Sequence, residues 1–186
     1  LGPLSALDEL GGLSLNNTAV SDLTPLSALG PETSGIHLWN NANLTDLAGL
    51  GNIERIHGDL SLNTNPVTDF SGLESLESAE DITCHALALT TLEGLDSLRE
   101  VGTLWIDVAP ALTDLDGLQQ LETAGALFLF ETAVEHVDAL SALETVDGML
   151  NLVDNPALTD LDGLSGLTEV GVFHVSDSEV LQSITG

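Results

Sequence analysis

A repeated spacing of three constrains this chain more than any other feature. In the stretch from Leu150 to Val170, LNLVDNPALTDLDGLSGLTEV, a short alternating segment (Leu150, Leu152) leads to an Asn-Pro corner. Leu158, Leu161, Leu164, Leu167 and Val170 then follow at every third position. An α-helix would drift to alternating threes and fours over so many apolar positions, and a strand would keep to twos. A coil that points one residue inward at each step needs threes. The stretch therefore reads as one rung of a ladder, and function is to be sought on the ladder's outside.

The pattern recurs along the whole chain. Aligned on the Leu-x-Gly-Leu step, rungs start at Leu1, Leu23, Leu47, Phe70, Leu92, Leu115, Val137 and Leu161, at intervals of 22 to 24 residues, with a ninth start at Ile184. Eight rungs then fill residues 1–186 without a linker, which predicts one solenoid domain. Because Leu1 and Gly186 both fall within the repeat, the expectation is an excerpt of a longer chain. Each rung should open with a tight 3-10 or single α turn, as in Asp116-Gly117-Leu118-Gln119-Gln120-Leu121. A short strand should follow, with inward pairs Leu13/Leu15, Ile36/Leu38, Leu60/Leu62, Ile82/Cys84, Leu104/Ile106, Leu127/Leu129, Leu150/Leu152 and Phe173/Val175. The fold expected is an α/β-type, right-handed repeat solenoid with a parallel sheet on one side and short turns opposite.

Two stretches carry a family resemblance. NNTAVSDLTPLSAL (Asn16 to Leu29) resembles the repeats of bacterial internalins, which are surface leucine-rich-repeat proteins. EVGTLWIDVAPALTDLDGLQQLETAGALFL (Glu100 to Leu129) is similar to the receptor L domain and its bacterial relatives, whose rungs run Val-x-Gly-x-Leu-x-Ile. The resemblance implies a leucine-rich-repeat-like, cell-surface or secreted binding module, in which different members bind different molecules. This chain departs from the pattern at the corner residue, usually Asn, which is Thr18, Asn41, Asn65, Leu87, Ala109, Thr132, Asn155 and Ser178 in successive rungs. A continuous asparagine ladder is therefore not expected.

Charge narrows the partners. Thirty acidic residues face only Arg55 and Arg99, for a net charge of −28, so nucleic acid and anionic membrane are disfavoured. A high-salt or calcium-containing setting would relieve the self-repulsion; solubility alone is the plainer account. No apolar run approaches the roughly 18 residues of a membrane span. The single Cys84 leaves no internal disulfide framework.

The outward strand residues form two columns. The first is Ser14, His37, Ser61, Thr83, Trp105, Phe128, Asn151 and His174; the second is Asn16, Trp39, Asn63, His85, Asp107, Phe130, Val153 and Ser176. Both tryptophans and two phenylalanines thus fall on the solvated face, while Phe70 and Phe173 occupy core positions. Large aromatics left on a wet sheet face mark an interaction site or a cross-strand brace. Trp105, Phe128 and Phe130 sit on adjacent rungs and are the expected hot spot, with Trp39 and His85 beside it.

Other constellations are weaker. Asp22, Asp46, Asp69, Asp114 and Asp160 precede the turns and are read as caps accepting backbone N–H groups. The competing reading is calcium held between rungs, to which two loops come nearest, Asp114 and Asp116 in one and Asp160 and Asp162 in the other, each with a core Leu between its acids. His37, His85 and His174 lie on rungs too far apart to share zinc. Cys84 and His85 are adjacent on a strand and face opposite sides, so they form no catalytic dyad. Asn16 and Asn43 match glycosylation acceptors by pattern only. The function expected is non-catalytic recognition or adhesion, binding protein or glycan on the aromatic face. The alternative is a structural spacer or filament unit that associates end to end.

Overall fold

Why leucine recurs every third residue is visible in the turns. Leu118 N–H donates to the Leu115 carbonyl at 3.1 Å and Leu121 N–H to the Leu118 carbonyl at 3.0 Å. The same pair of bonds links Phe70, Leu73 and Leu76 (3.0 and 2.9 Å), and Leu92, Leu95 and Leu98 (3.2 and 2.9 Å). Each leucine closes one three-residue turn and opens the next, so the chain bends round a corner while every apolar side chain points inward. Leu73, Leu76, Leu95, Leu98, Leu118 and Leu121 are all fully buried.

The computed structural model describes residues 4–85 and 88–182. Leu1, Leu87, Ile184 and Gly186, which the repeat alignment uses, lie outside the described residues. The strands are β1 (Leu13–Asn16), β2 (Glu32–Thr33), β3 (Ile36–Trp39), β4 (Arg55–Asn63), β5 (Ser78–His85), β6 (Glu100–Ala109), β7 (Thr123–Thr132), β8 (Thr145–Val153) and β9 (Glu169–Ser176). They form one sheet in the order β1-β3-β4-β5-β6-β7-β8-β9, with β2 pairing β4, and every pairing is parallel. The chain is a parallel β-solenoid of about seven turns.

Helix contributes almost nothing. Thr24–Leu26, Asp138–Leu140 and Asp162–Leu164 are single 3-10 turns, and no α-helix occurs among the described residues. The α/β expectation is corrected to β: three-residue turns consume the segment opposite the sheet before a full α turn can close. The strands from β4 onward are also longer than expected, at eight to ten residues. The segment ahead of the inward pair, which carries Gly58, Gly102, Gly125, Gly148 or Gly171 in five of these strands, joins the strand rather than the turn, and register shifts mark the junction in β4, β7 and β8.

The turn glycine is required by backbone geometry. Gly117 has φ +116°, and a Cβ there would lie 2.0 Å from the Leu92 carbonyl oxygen of the preceding rung. Only glycine lets two rungs approach so closely in that conformation. At the other corner, Asn65 donates to the Leu38 carbonyl at 2.6 Å and accepts from Asn41 N–H at 2.8 Å. Asn41 in turn accepts from Thr18 Oγ1 at 2.6 Å, and Asn155 accepts from the Thr132 N–H at 3.2 Å. Ala109, fully buried between these two segments, supplies no such bond, so the ladder is broken as the sequence implied.

The inward pairs fill the core from Ile36 to Leu152, including Cys84 at 1% exposure. At the two ends Leu15 and Val175 are only partly buried, and Phe173 departs furthest. Expected in the core, it is 43% exposed, because β9 is the last strand and no further rung among the described residues covers its inner face. Val172 and Val180 are exposed beside it, and Leu164, Leu167 and Val170 are only partly buried.

Candidate functional site

Strand register delivers both outward columns. Thr83 pairs with Trp105, Trp105 with Phe128 and Phe128 with Asn151 in the first; His85 pairs with Asp107, Asp107 with Phe130 and Phe130 with Val153 in the second. Alternation along β6 and β7 therefore puts Trp105, Phe128 and Phe130 on one face, while Leu104, Ile106, Leu127 and Leu129 fill the core behind them. The three rings touch. Trp105 and Phe128 have centroids 4.8 Å apart at 39°, Trp105 and Phe130 5.3 Å apart at 61°, and Phe128 and Phe130 5.9 Å apart at 27°. Such offset and edge contacts suit the aromatic quadrupole.

The cluster is not uniformly wet. Trp105 is 38% exposed, whereas Phe128 and Phe130 are half-buried against it and against each other. The indole is thus the most open of the three rings. Polar groups surround this surface. His85 Nδ1 lies 2.9 Å from Asp107 Oδ2, and the His85 N–H donates to Asn63 Oδ1 at 3.0 Å, so imidazole and carboxylate sit together at one margin. At the other margin Asn151 Oδ1 is buried and has no hydrogen-bond partner among the described residues.

Trp39 does not join this group. It lies on β3, with β4 and β5 between it and β6, so roughly three strand spacings of about 4.8 Å separate it from Trp105. It is 44% exposed, its indole N–H donates to Ser61 Oγ at 2.8 Å, and its ring neighbour is His37, with centroids 6.2 Å apart. Trp39 is a separate exposed aromatic, and of the two flanking residues expected, only His85 borders the cluster.

The turn acids behave as caps. Oδ1 of Asp22, Asp46, Asp69, Asp114 and Asp160 each accepts the N–H two residues on, at 2.8, 3.1, 2.9, 3.1 and 3.3 Å. The bonds from Thr24 hold the Asp22 carboxyl below its usual range. Burial raises that of Asp69, but the bonds from Ser71 and Thr68 outweigh it and the net shift is down. Asp160 is lowered by the Asp162 N–H, then by Thr159 and His136, whose Nδ1 is 3.0 Å away. Asp114 and Asp116 lie on the Leu115 rung and Asp160 and Asp162 on the Leu161 rung, with the Val137 rung between them. These four acids do not converge on one ion, and no group of three or more metal-ligating side chains occurs among the described residues.

Cys84 is fully buried, and burial pushes its thiol up to about 12, while His85 is exposed on the opposite side of the strand. His37 and His174 also stand far from His85, on β3 and β9.

One feature was missed by the repeat reading. Among the described residues, the one after the last outward position adopts a left-handed conformation in β1, β3, β4, β6, β7, β8 and β9: Asn17, Asn40, Thr64, Val108, Glu131, Asp154 and Asp177 have φ between +53° and +57°. On the later rungs this row borders an open groove of about 610 Å³, lined by Val108, Pro110, Glu131, Asp154, Pro156 and Glu179 among others. Glu131 directly follows Phe130, so the groove begins one residue beyond the aromatic cluster, whose rings do not themselves line it. The Asn-Asn and Asp-Asn sequences at these corners were the available signal, since Asn and Asp are enriched in that conformation.

No protein-family model matches the chain, and no curated protein sequence matches it either.

Proposed function

We propose that this chain is a non-catalytic recognition or adhesion module that binds a protein or glycan ligand on its outer sheet face. Trp105, Phe128 and Phe130 form the hot spot and His85 its polar margin. In this reading the solenoid is leucine-rich-repeat-like, of eight rungs, in the manner of internalins and receptor L domains, and works outside the cell or at its surface. The observation that carries it is the three-ring cluster: aromatic anchors gathered at the centre of a face dominate binding energy, and an indole left open to water has an unfilled contact surface. Burial of Cys84 supports the non-catalytic part, because its thiol is out of reach of any substrate.

The test compares the chain with its W105A/F128A/F130A variant on arrays of peptides and glycans. Ligands retained by the parent and lost by a variant with unchanged circular dichroism support the reading. A folded variant that keeps every ligand refutes it.

One observation favours a second reading, a structural spacer that associates end to end. Phe173 is exposed on the uncovered inner face of β9, where the strand edge is also unpaired among the described residues. Concentration-dependent fibres in electron micrographs would support it, and monomers at high concentration would remove it.

A further inference from the structure

Resting on the reading of Trp105, Phe128 and Phe130 as a binding face, we infer that the partner is a basic protein segment. It lays an apolar side chain on the aromatic cluster and its lysine or arginine side chains in the adjoining groove. The aromatic face carries the site, and local charge selects the occupant.

Three observations lead there. The groove beside Phe130 is lined by Glu131, Asp154, Asp177 and Glu179, and none of these carboxylates has a hydrogen-bond or ion-pair partner among the described residues. They differ in this from the acids of the turn column, each of which caps its own turn. The fold does not call for the charge, because the equivalent left-handed corner on earlier rungs is Asn17, Asn40 and Thr64. Asn suits that conformation as well as Asp does, yet the rungs beside the aromatic cluster place like charges on neighbouring rungs, which repel.

Neither arginine reaches the groove. Arg55 opens β4 and pairs with Glu32 at 2.9 Å, and Arg99 precedes β6 and pairs with Glu122 at 2.8 Å. Both lie at the starts of the strands, whereas the groove lies at their ends. Pro110 and Pro156 give the groove apolar walls on which the methylene stem of a lysine or arginine can lie. The open face of Trp105 accepts a guanidinium or ammonium group by cation–π attraction. An acidic or neutral ligand would leave the carboxylates unpaired, and an acidic one would be repelled.

The experiment uses calorimetric titration of the full chain at low salt with three probes: a lysine–serine–leucine repeat peptide, its glutamate counterpart, and the neutral hexasaccharide cellohexaose. Three variants accompany the parent: W105A/F128A/F130A, the groove variant E131Q/D154N/D177N/E179Q, and the control E80Q/E100Q/E144Q/E169Q. The control removes the same charge near the starts of the strands, away from the groove at their ends. The lysine peptide is expected to bind the parent, to lose about tenfold or more in affinity with the aromatic and groove variants, and to lose less than about threefold with the control. Equal losses in groove and control variants would reduce the effect to diffuse net charge and overturn the inference. Binding of cellohexaose or the glutamate peptide through the aromatics, without the lysine peptide, would overturn it while leaving the binding face intact. Failure of the parent to bind the lysine peptide overturns it outright. Lysine-peptide binding undiminished by the aromatic variant would overturn the face as well.

Discussion

Replacing Asn65 with alanine tests how the corners hold the rungs together. Asn65 is 4% exposed; its amide donates to the Leu38 carbonyl at 2.6 Å, and its oxygen accepts from Asn41 N–H at 2.8 Å. The Asn65→Ala change leaves that N–H without a partner inside the coil and strips the carbonyl, which also sits in the β3–β4 ladder, of its side-chain bond. A buried N–H left unsatisfied costs about 1–3 kcal/mol and a lost hydrogen bond about 1 kcal/mol, which together give about 3 kcal/mol. For a chain of this size each kcal/mol lowers the melting temperature by about 2–4 °C, which predicts a drop of roughly 6–12 °C. The exposed Asn52, which donates to the Ser27 carbonyl at 2.8 Å, is the control, and Asn52→Ala should cost under about 0.5 kcal/mol. Thermal melts give the totals. Hydrogen exchange gives the place, because contacts in a solenoid run mainly between neighbouring rungs and the lost protection should centre on β3 and β4. An Asn65→Ala protein that melts with the Asn52→Ala control would refute the idea that these asparagines hold the corners.

Other expectations follow from the same geometry. Gly117→Ala should destabilise by about 3 kcal/mol or more, since it combines a strained φ with a 2.0 Å approach to backbone; Gly51→Ala, whose nearest contact would be 3.9 Å, should be near neutral, and equal melting temperatures would contradict the account. The depressed carboxyls of Asp22, Asp69 and Asp160 contribute stability that is present above the unfolded value of about 3.9 and lost as pH falls through the lower folded values. Melts at high salt, where self-repulsion is screened, should therefore show an acid loss below about pH 4 that is shallower in a D22N/D69N/D160N variant; an identical acid limb would contradict it. Cys84 should resist thiol reagents until the chain unfolds, and rapid labelling of the native protein would show that the core opens locally.

The coil itself was legible because its two periods are physically exclusive. Threes such as Leu158, Leu161 and Leu164 fit only consecutive tight turns, and twos such as Leu104 and Ile106 fit only a strand, so turn, sheet and both outward columns followed from spacing. Three things did not follow. The strands proved longer because Gly102 and Gly125 pack against the Glu80 and Gly102 carbonyls of preceding strands and so belong to the sheet. Phe173 was placed by pattern in a core that needs a neighbouring rung to exist, and period alone does not report whether a rung is covered. Trp39 and Trp105 share the outward side, but distance along the coil is set by the rungs between them, which puts Trp39 out of reach. The groove was hidden for a different reason. Left-handed corners are signalled by Asn or Asp, and Val108 and Glu131 give no such signal while adopting the same backbone.

The most direct test of the central claim uses the chain's two indoles, Trp39 and Trp105, as reporters. Each gives one N–H resonance, and each stands on a different part of the sheet. Titrating the lysine peptide, or any ligand found on the arrays, into labelled protein should shift the Trp105 indole and the methyl groups of Val153, with Trp39 unchanged. Movement confined to Trp39, or to Val172 and Val180 at the β9 end, would contradict the claim that the aromatic cluster is where this protein meets its partner.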